Sequence, residues 1–331
     1  MLWFLLVSCL IQHHTAMEKY KWLPTECAPK KYPMTILKGD LIFKNGGSIY
    51  IPEGKVLYNG WGEIGSTHVV GEEWKPVPYQ LNITWFSYTE DKFYQGIFNL
   101  PHDIITSLFQ KGFISPSTGK LRTYDRVMVG LAPEGEISIW LSGERVVKEV
   151  CFFQAKETKI DWAGFVDNPA ITRKEYLKMI LKEVLNNDEI ASLKENGLPV
   201  RLWMKYRTRY PWEPTIIGKA VPTDLLMVTY NGEHEFIDYT SEKKRRLEKR
   251  AIVKNFELRW TSEPKEKYFA TVDFDEQEIF TSFEKLYNEQ LPQELQLQVE
   301  INSIDHSLKI YLRNDLYILE LKKCIIKVYS E

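Results

Sequence analysis

The segment Leu81–Phe113, LNITWFSYTEDKFYQGIFNLPHDIITSLFQKGF, contains the pattern that decides the fold. Apolar and polar residues alternate over two stretches, which is typical of β-strands, and the spacing becomes helical after Pro101. The apolar residues of this helix form one stripe: Ile104, Ile105, Leu108 and Phe109. Gly112 follows the stripe, in a position suited to ending a helix. The segment therefore predicts a strand, a second strand and an amphipathic helix.

A second segment, Glu257–Asn288, repeats this order of elements as ELRWTSEPKEKYFATVDFDEQEIFTSFEKLYN. A constant offset between the two segments places identical residues in pairs: Trp85 with Trp260, Lys92 with Lys267, Ile104 with Ile279 and Thr106 with Thr281. Asp275 and Glu278 have the spacing of a capping box at the start of the second helix. The two segments predict diverged copies of one unit, with Trp85 and Trp260 packed beneath the helices.

The strands that follow each helix are separated by short turns, which favour antiparallel meanders. The fold class predicted is therefore α+β: two diverged copies of a β-rich antiparallel-sheet unit, each with one amphipathic helix, joined by a helical linker. The predicted boundaries are a signal and tether segment at 1–19, a first domain at 20–155, a linker at 156–196 and a second domain at 197–331. Within the linker, Thr172–Leu185 has helical spacing, and Thr172 and Asn168 are the candidate caps.

Composition excludes few classes of protein but bears on the partners. The 331 residues are 44% hydrophobic and 27% charged, which is ordinary for a folded chain of this length. The formal net charge of −2 provides no field that would attract nucleic acid or an anionic membrane surface. We therefore expect no nucleic-acid partner.

The first residues, MLWFLLVSC, form an apolar run that ends in Leu6-Val7-Ser8-Cys9 and resembles a bacterial lipobox. The resemblance implies that Cys9 is the site of lipid attachment, that the preceding residues are a signal peptide, and that a lipid is the only membrane anchor. Two features differ from the pattern, since only eight residues precede Cys9 and none of them is Lys or Arg. The alternative is a cytoplasmic protein that starts at Met17.

No pattern of residues assigns a catalytic group, a metal site or a cofactor. His234-Glu235 begins a sequence that lacks the second histidine of a helical zinc site, and its alternation predicts a strand. Cys151 and Cys324 lie in apolar runs at what look like equivalent positions, which indicates small core residues rather than a disulfide. The sequence thus leans towards a protein that is not an enzyme.

The loop Tyr58–Ser66, YNGWGEIGS, is the first candidate for a binding surface. Gly60 and Gly62 flank Trp61 and permit backbone conformations that bring the chain close to another surface. Trp61 could stack on a sugar or fill a partner's pocket, and it could equally be a wedge that holds the loop onto the sheet. Trp74 is the second candidate.

Several of these residues together resemble a bacterial family, domain of unknown function 2931. The motifs are Tyr32-Pro33, Asn59-Gly60-Trp61-Gly62, WFSYTEDKFYQGIFNLP and VGLAPEGEISIWLSG with a following CFFQ. The similarity covers about Tyr20–Ala155, and the second copy resembles the family weakly. The resemblance implies a lipoprotein of the cell envelope and provides no catalytic residues. It also suggests immunity to an antibacterial effector, because some relatives look like neighbours of secreted lipase effectors.

Two functions of different classes follow. The first is a non-enzymatic envelope lipoprotein whose tandem β-rich domains bind another protein. The second is a glycan-binding surface protein, or a hydrolase, that uses the Trp61 loop.

Overall fold

A computed structural model describes residues 18–166, 170–241, 248–262, 266–287, 294–302, 304 and 306–330. Antiparallel sheets dominate this part of the chain, and the few helices are short, as the α+β prediction requires. Cys9, Met17 and Asn168 lie outside the described residues. Among the residues described, no helix combines the length and apolar character needed to cross a membrane.

We call residues 18–158 the first half and residues 202–330 the second half. The strands of the first half are β1 Lys19–Lys21, β2 Leu23–Cys27, β3 Met34–Ile42, β4 Ser48–Tyr50, β5 Val56–Leu57, β6 Trp74–Pro76, β7 Gln80–Ser87, β8 Lys92–Asn99, β9 Phe113–Ile114, β10 Leu121–Arg122, β11 Arg126–Ala132, β12 Glu136–Gly143, β13 Val146–Gln154 and β14 Lys156–Thr158. Those of the second half are β15 Arg209–Ile217, β16 Val221–Thr229, β17 His234–Asp238, β18 Glu248–Ala251, β19 Val253–Ser262, β20 Glu266–Asp273, β21 Leu295–Ile301, β22 Leu308–Arg313, β23 Ile318–Glu320 and β24 Ile325–Ser330. The helices are α1 His102–Lys111, α2 Arg173–Val184, α3 Asn187–Asn196, α4 Leu202–Tyr206 and α5 Glu276–Leu286.

Each half is built from two groups of paired strands. In the first half, β14, β8, β7, β3 and β4 lie side by side in one sheet, and β2, β11, β12 and β13 lie side by side in another. In the second half, β24, β20, β19, β16 and β17 form the first group and β18, β15, β21, β22 and β23 form the second. The parallel pairs β2–β11 and β15–β21 occupy matching places in this order.

One strand pair connects the halves. Val147 of β13 pairs with His234 of β17, so that a single sheet of nine strands runs from β2 to β24. Lys156–Thr158, within the predicted linker, pairs with β8 as the strand β14. The rest of the linker contains α2 and α3, and Thr172 caps α2 through a capping box with Glu175.

The constant offset predicted between the two copies is wrong beyond the first strand. β7 and β8 pair Ser87 with Lys92, whereas β19 and β20 pair Ser262 with Glu266. The second hairpin connection is therefore one residue shorter, and Trp260 faces Tyr268 where Trp85 faces Tyr94.

The buried residues of the two helices match when the offset between the copies is shortened by the same one residue. Ile105 and Phe109 are the buried residues of α1, and Ile279 and Phe283 are buried in α5 at positions one residue earlier than the constant offset gives. Ile104, which the sequence paired with Ile279, is 54% exposed. Because one residue turns a helix by about 100°, an offset error of one residue moves a side chain off the buried face.

The prediction that both tryptophans lie in the core is confirmed. Trp85 is 0% exposed and Trp260 is 1% exposed. Each indole belongs to the same apolar cluster as the buried residues of its helix and stacks on the tyrosine of the neighbouring strand. Cys151 and Cys324 are free and half-buried, but their positions do not correspond, because Cys151 lies within β13 and Cys324 follows β23.

Candidate functional site

The Tyr58–Ser66 loop lies along β2, the outermost strand of the nine-stranded sheet. Gly60 donates its backbone N–H to the carbonyl of Ala28 at 2.9 Å, and the Thr25 hydroxyl donates to the carbonyl of Ser66 at 3.0 Å. A Cβ atom on Gly65 would lie 2.1 Å from the carbonyl oxygen of Glu26, so only glycine permits this approach. The loop thus covers a sheet edge whose polar groups would otherwise be unpaired.

Trp61 is half-buried at the contact between the halves. Its ring centroid lies 4.8 Å from that of Trp140 in an edge-to-face arrangement and 6.1 Å from that of Trp203. Trp140 belongs to the first half and Trp203 to α4, so the indole sits between them. These contacts favour the wedge interpretation of Trp61, and a ligand role for it stays a prediction.

Gly62 brings the loop against the second half. Its φ is +78°, and a Cβ atom there would lie 2.4 Å from the carbonyl oxygen of Gly232. Gly60 has a φ of +128°, which also favours glycine. Two of the chain's Asn-Gly sequences, Asn59-Gly60 and Asn231-Gly232, therefore meet at one place in the fold.

Trp74 lies apart from Trp61, on the small sheet formed by β1 and β6. Its side chain is 51% exposed, and the Lys21 ammonium is 5.1 Å from the ring centroid. Its neighbours Glu73 and Lys75 line an open, mostly apolar groove of about 420 Å³ together with Trp22 and Val69. The structure therefore does not bring the two tryptophan candidates into one site.

A cluster of charged side chains joins the halves beneath the Tyr58–Ser66 loop. We call it the interhalf cluster, and its members are Lys148, Glu149, Arg207, Arg209 and Glu233. Glu149 of β13 has a side chain only 2% exposed and accepts hydrogen bonds from Arg207 at 2.7 Å and Arg209 at 3.4 Å. Ser138 and Asn231 donate to the same carboxylate at 3.0 Å and 3.1 Å.

Glu233 is the second carboxylate of the interhalf cluster. It pairs with Lys148 at 3.0 Å and with Arg209 at 2.8 Å. Burial alone would raise the pKa of Glu233, but these two cations outweigh burial and hold the pKa below its usual value. Each carboxylate has cationic partners across the contact between the halves, since Glu149 pairs with Arg207 and Glu233 pairs with Lys148. This arrangement fixes the halves relative to each other and provides no unengaged base.

A cavity of about 210 Å³ adjoins the interhalf cluster, lined in part by Tyr124, Arg209, Glu233, His234 and Arg250. Burial lowers the pKa of His234, and its Nε2 atom lies 3.8 Å from the Glu63 carboxylate. Burial raises the pKa of the thiols of Cys27, Cys151 and Cys324 to about 12. Within the described ranges, no three His, Cys, Asp or Glu side chains are grouped so as to hold a metal ion.

Sequence reasoning missed the interhalf cluster. Its members come from β13, β15, the residue that follows α4 and the turn between β16 and β17, and each residue taken alone resembles an ordinary surface charge. The one available signal was the Asn231-Gly232 turn, which precedes Glu233 where the Tyr58–Ser66 loop has Trp61 after Asn59-Gly60.

The outward face of β7 and β8 in the first half is covered by the linker. Phe86 and Phe93 lie on this face against Trp162, Phe165 and residues of α2. Arg173, the first residue of α2, places its guanidinium 5.1 Å from the Trp162 ring and pairs with Asp91. Aromatic packing and a cation–π contact thus fix α2 over the sheet.

The matching face in the second half carries a row of residues in register across four strands: Asp224, Arg259, Phe269 and Tyr329. We call this the outer row. The Arg259 guanidinium lies 3.1 Å from Asp224 and 5.4 Å from the Phe269 ring, which stacks on Tyr329 at 5.3 Å. Tyr329 is 47% exposed, and Val221 and Ile325 on the same face are 67% and 61% exposed. Solvent therefore reaches this face.

Comparison with known proteins gives one match. The family model described as "Protein of unknown function (DUF2931)" matches residues 11–200, which span the first half and the whole linker at 156–196. No curated protein and no solved structure matches the chain.

Proposed function

The chain belongs to the DUF2931 family of proteins of unknown function, and from that premise we propose that it is a lipid-anchored protein of the bacterial cell envelope that binds another protein. In this proposal it is not an enzyme. Its partner is a protein, for which an antibacterial effector is the class suggested by the family resemblance.

The lipid anchor is supported by the order of segments at the amino end. The lipobox-like Leu6–Cys9 is followed by Leu10 and Ile11, by the polar residues Gln12–Thr15 and by Ala16 to Glu18, and β1 begins at Lys19. Ten residues of extended chain from Cys9 to Lys19 would span at most about 35 Å, so the folded body would lie close to the membrane. We expect Cys9→Ser to move the protein from the membrane fraction to the soluble fraction. Unchanged partitioning would contradict the anchor.

Two diverged copies of one unit are part of the same proposal. The matching strand orders, the matching parallel pairs and the two buried tryptophans support a common origin for the halves. In this view the two copies have taken on different roles. Linker residues and α2 cover the outward face of the first copy, whereas the corresponding face of the second copy carries the outer row, in which Tyr329 is 47% exposed.

This difference between the two faces is the observation that carries the binding proposal. Tyrosine, arginine and phenylalanine are prominent among residues that dominate binding energy in protein interfaces. The outer row presents all three on neighbouring strands, where the sheet fixes their positions before binding. A partner that covers Phe269 and Tyr329 would bury apolar surface in the way that α2 does on the first half.

The test is co-expression of the full chain with proteins encoded beside its gene, followed by size-exclusion chromatography. We expect a stoichiometric complex that is lost in Phe269→Ala/Tyr329→Ala. Met179→Ala is the control, because Met179 is 48% exposed, close to the 47% of Tyr329, and lies in α2, away from the outer row. A complex that survives the double substitution would place the binding site elsewhere.

Glycan binding is the second candidate, and Trp74 favours it. An indole that is 51% exposed beside an apolar groove can stack on a sugar ring. Glycan-array binding that is abolished by Trp74→Ala, and retained in Phe269→Ala/Tyr329→Ala, would favour this candidate over a protein partner.

A further inference from the structure

The contact between the halves contains a strand pair that has a counterpart elsewhere in the chain. β13 is the last strand of the group β2, β11, β12 and β13, and its free side accepts β17 of the second half. The hairpin that leads into β13 also reaches the second half, where Arg145 pairs with Glu257 at 2.7 Å.

β23 occupies the place of β13 in the second half, but among the described residues no strand pairs with its outer side. The turn that leads into β23 carries consecutive apolar side chains exposed to solvent: Leu316 at 69%, Tyr317 at 65% and Ile318 at 55%. We call these three residues the apolar turn. Contiguous exposed apolar residues at a sheet edge are a feature of interaction sites.

The apolar turn is held in a fixed conformation. Asn314 is 6% exposed, and its side-chain oxygen accepts the backbone N–H groups of Leu316 at 2.9 Å and Tyr317 at 2.7 Å. Its side-chain amide donates to the carbonyl of Leu286 at the end of α5, at 3.0 Å. A preorganised turn loses little conformational entropy on binding, which favours association.

The chain also contains a counterpart of β17. β17 follows β16 through a hairpin and pairs with it at the end of the group β24, β20, β19, β16 and β17. In the same way, β4 follows β3 through a hairpin and pairs with it at the end of the sheet β14, β8, β7, β3 and β4. β4 is the last strand of its sheet, and Tyr50 in it is 45% exposed. The pairing of β13 with β17 within the chain thus corresponds to a pairing of β23 with β4 between two chains.

We infer that this chain associates head to tail with a second copy of itself, β23 of one copy pairing antiparallel with β4 of the next. The side chains match when Leu319 faces Ile49, because Leu319 shares the core side with Leu312 and Ile49 shares it with Leu41. On the outward side Ile318 then faces Tyr50, an aliphatic–aromatic pair of the kind that stabilises antiparallel strands. Glu320 faces Ser48 at the other end.

This contact joins two different surfaces, so it does not close into a two-fold dimer, and it can continue from copy to copy. Each strand is only three residues long, which limits the backbone hydrogen bonds to a few. The association therefore depends on concentration and on the apolar turn.

Cross-linking between single-cysteine variants tests the register directly. Full-length Ser48→Cys and full-length Glu320→Cys, both altered at exposed positions, are mixed in non-ionic detergent and treated with a short bis-maleimide. Residues opposite each other in this register have Cβ atoms about 5 Å apart, so we expect a cross-linked dimer in the mixture. A mixture of Ser117→Cys with Glu320→Cys is the matched control, since Ser117 is exposed on a different hairpin. The wild-type chain measures the background from native cysteines.

A yield no higher than that of the control would overturn the inference. Sedimentation velocity gives a second readout, in which we expect the concentration-dependent increase in sedimentation coefficient to be lost in Ile318→Asp and kept in Leu121→Asp, a change at an exposed position of β10. If Ile318→Asp instead abolishes binding of a different protein while no mixed dimer forms, the occupant of β23 is that protein and self-association is wrong. None of these variants alters Cys9 or the outer row, so the result is independent of the proposed function.

Discussion

Trp140 of the first half donates its indole N–H to the backbone carbonyl of Asn231 in the second half, at 3.2 Å. The side-chain amide of Asn231 in turn donates to Glu149 of the first half at 3.1 Å. All three residues are buried. Because a buried polar group that loses its partner is costly, neither half can be separated without exposing or orphaning these groups. We therefore expect the two halves to unfold together.

Removal of the central carboxylate should destabilise the protein strongly. Glu149→Ala would leave Arg207 and Arg209 without their shared counterion and would leave the Asn231 amide unpaired. We expect the free energy of unfolding in urea to fall by about 3–5 kcal/mol, as for other broken buried pairs. Glu157→Ala is the control, since its pair with Lys92 is exposed and is worth less than about 1 kcal/mol. Similar losses in both variants would show that the interhalf cluster contributes little.

The contact between the two Asn-Gly turns gives a second prediction. Gly62→Ala adds a methyl group 2.4 Å from the Gly232 carbonyl oxygen at a φ of +78°, so the variant has both a clash and backbone strain. Gly46→Ala has the strain alone, because Gly46 has a φ of +88° and no atom within 4 Å of the added methyl group. We expect Gly46→Ala to lower the free energy of unfolding by about 1–2 kcal/mol. Gly62→Ala should cost clearly more, and equal effects would contradict the close contact.

The elements with local signals were predictable from the sequence. Thr172 and Glu175 cap α2, and Asp275 caps α5, because capping depends on residues within one turn of each other. Trp85 and Trp260 were predictable as core residues because alternation within a strand assigns its faces. The one-residue change in the second hairpin was not predictable, since an offset between distant segments contains no information on loop length.

The site between the halves could not be predicted from the sequence for a different reason. Glu149 and Arg209 meet only because β13 pairs with β17, and neither strand's composition specifies which edge it will join. Gly60 and Gly62 correctly indicated a loop in close contact with another surface. The sequence could not say that this surface is the chain's own second half.

Substitution of the two tryptophan candidates should separate a packing role from a surface role. Trp61→Ala removes an indole that contacts Trp140 and Trp203, and we expect a loss of roughly 2–4 kcal/mol in the free energy of unfolding. Trp74→Ala removes a side chain that is 51% exposed, and the expected loss is below about 1 kcal/mol. Urea denaturation of the two variants beside the wild type measures both. A Trp61→Ala variant of wild-type stability would revive Trp61 as a ligand-binding residue.

A buried carboxyl group at the start of β12 should make stability depend on pH. Glu136 is 1% exposed, and its Oε2 atom has no hydrogen-bond partner among the described residues. Burial, followed by the nearby Glu134, raises the pKa of Glu136 to about 7 against the opposing effects of Arg207, the backbone N–H of Met204 and Arg201. The folded protein therefore binds this proton more tightly than the unfolded chain, where the pKa is about 4.5.

The sign of the effect follows from proton linkage. Between pH 4.5 and pH 7 the folded state holds more protons at Glu136 than the unfolded state does. The free energy of unfolding therefore falls as the pH rises through this range, and above pH 7 the full destabilisation by the ionised Glu136 is present. Glu136→Gln keeps the shape and removes the ionisation. We expect the variant to gain stability relative to the wild type between pH 5 and pH 8, by up to about 3 kcal/mol. Glu157→Gln, at an exposed carboxyl, should show no such gain, and parallel curves for wild type and Glu136→Gln would show that Glu136 does not titrate in this range.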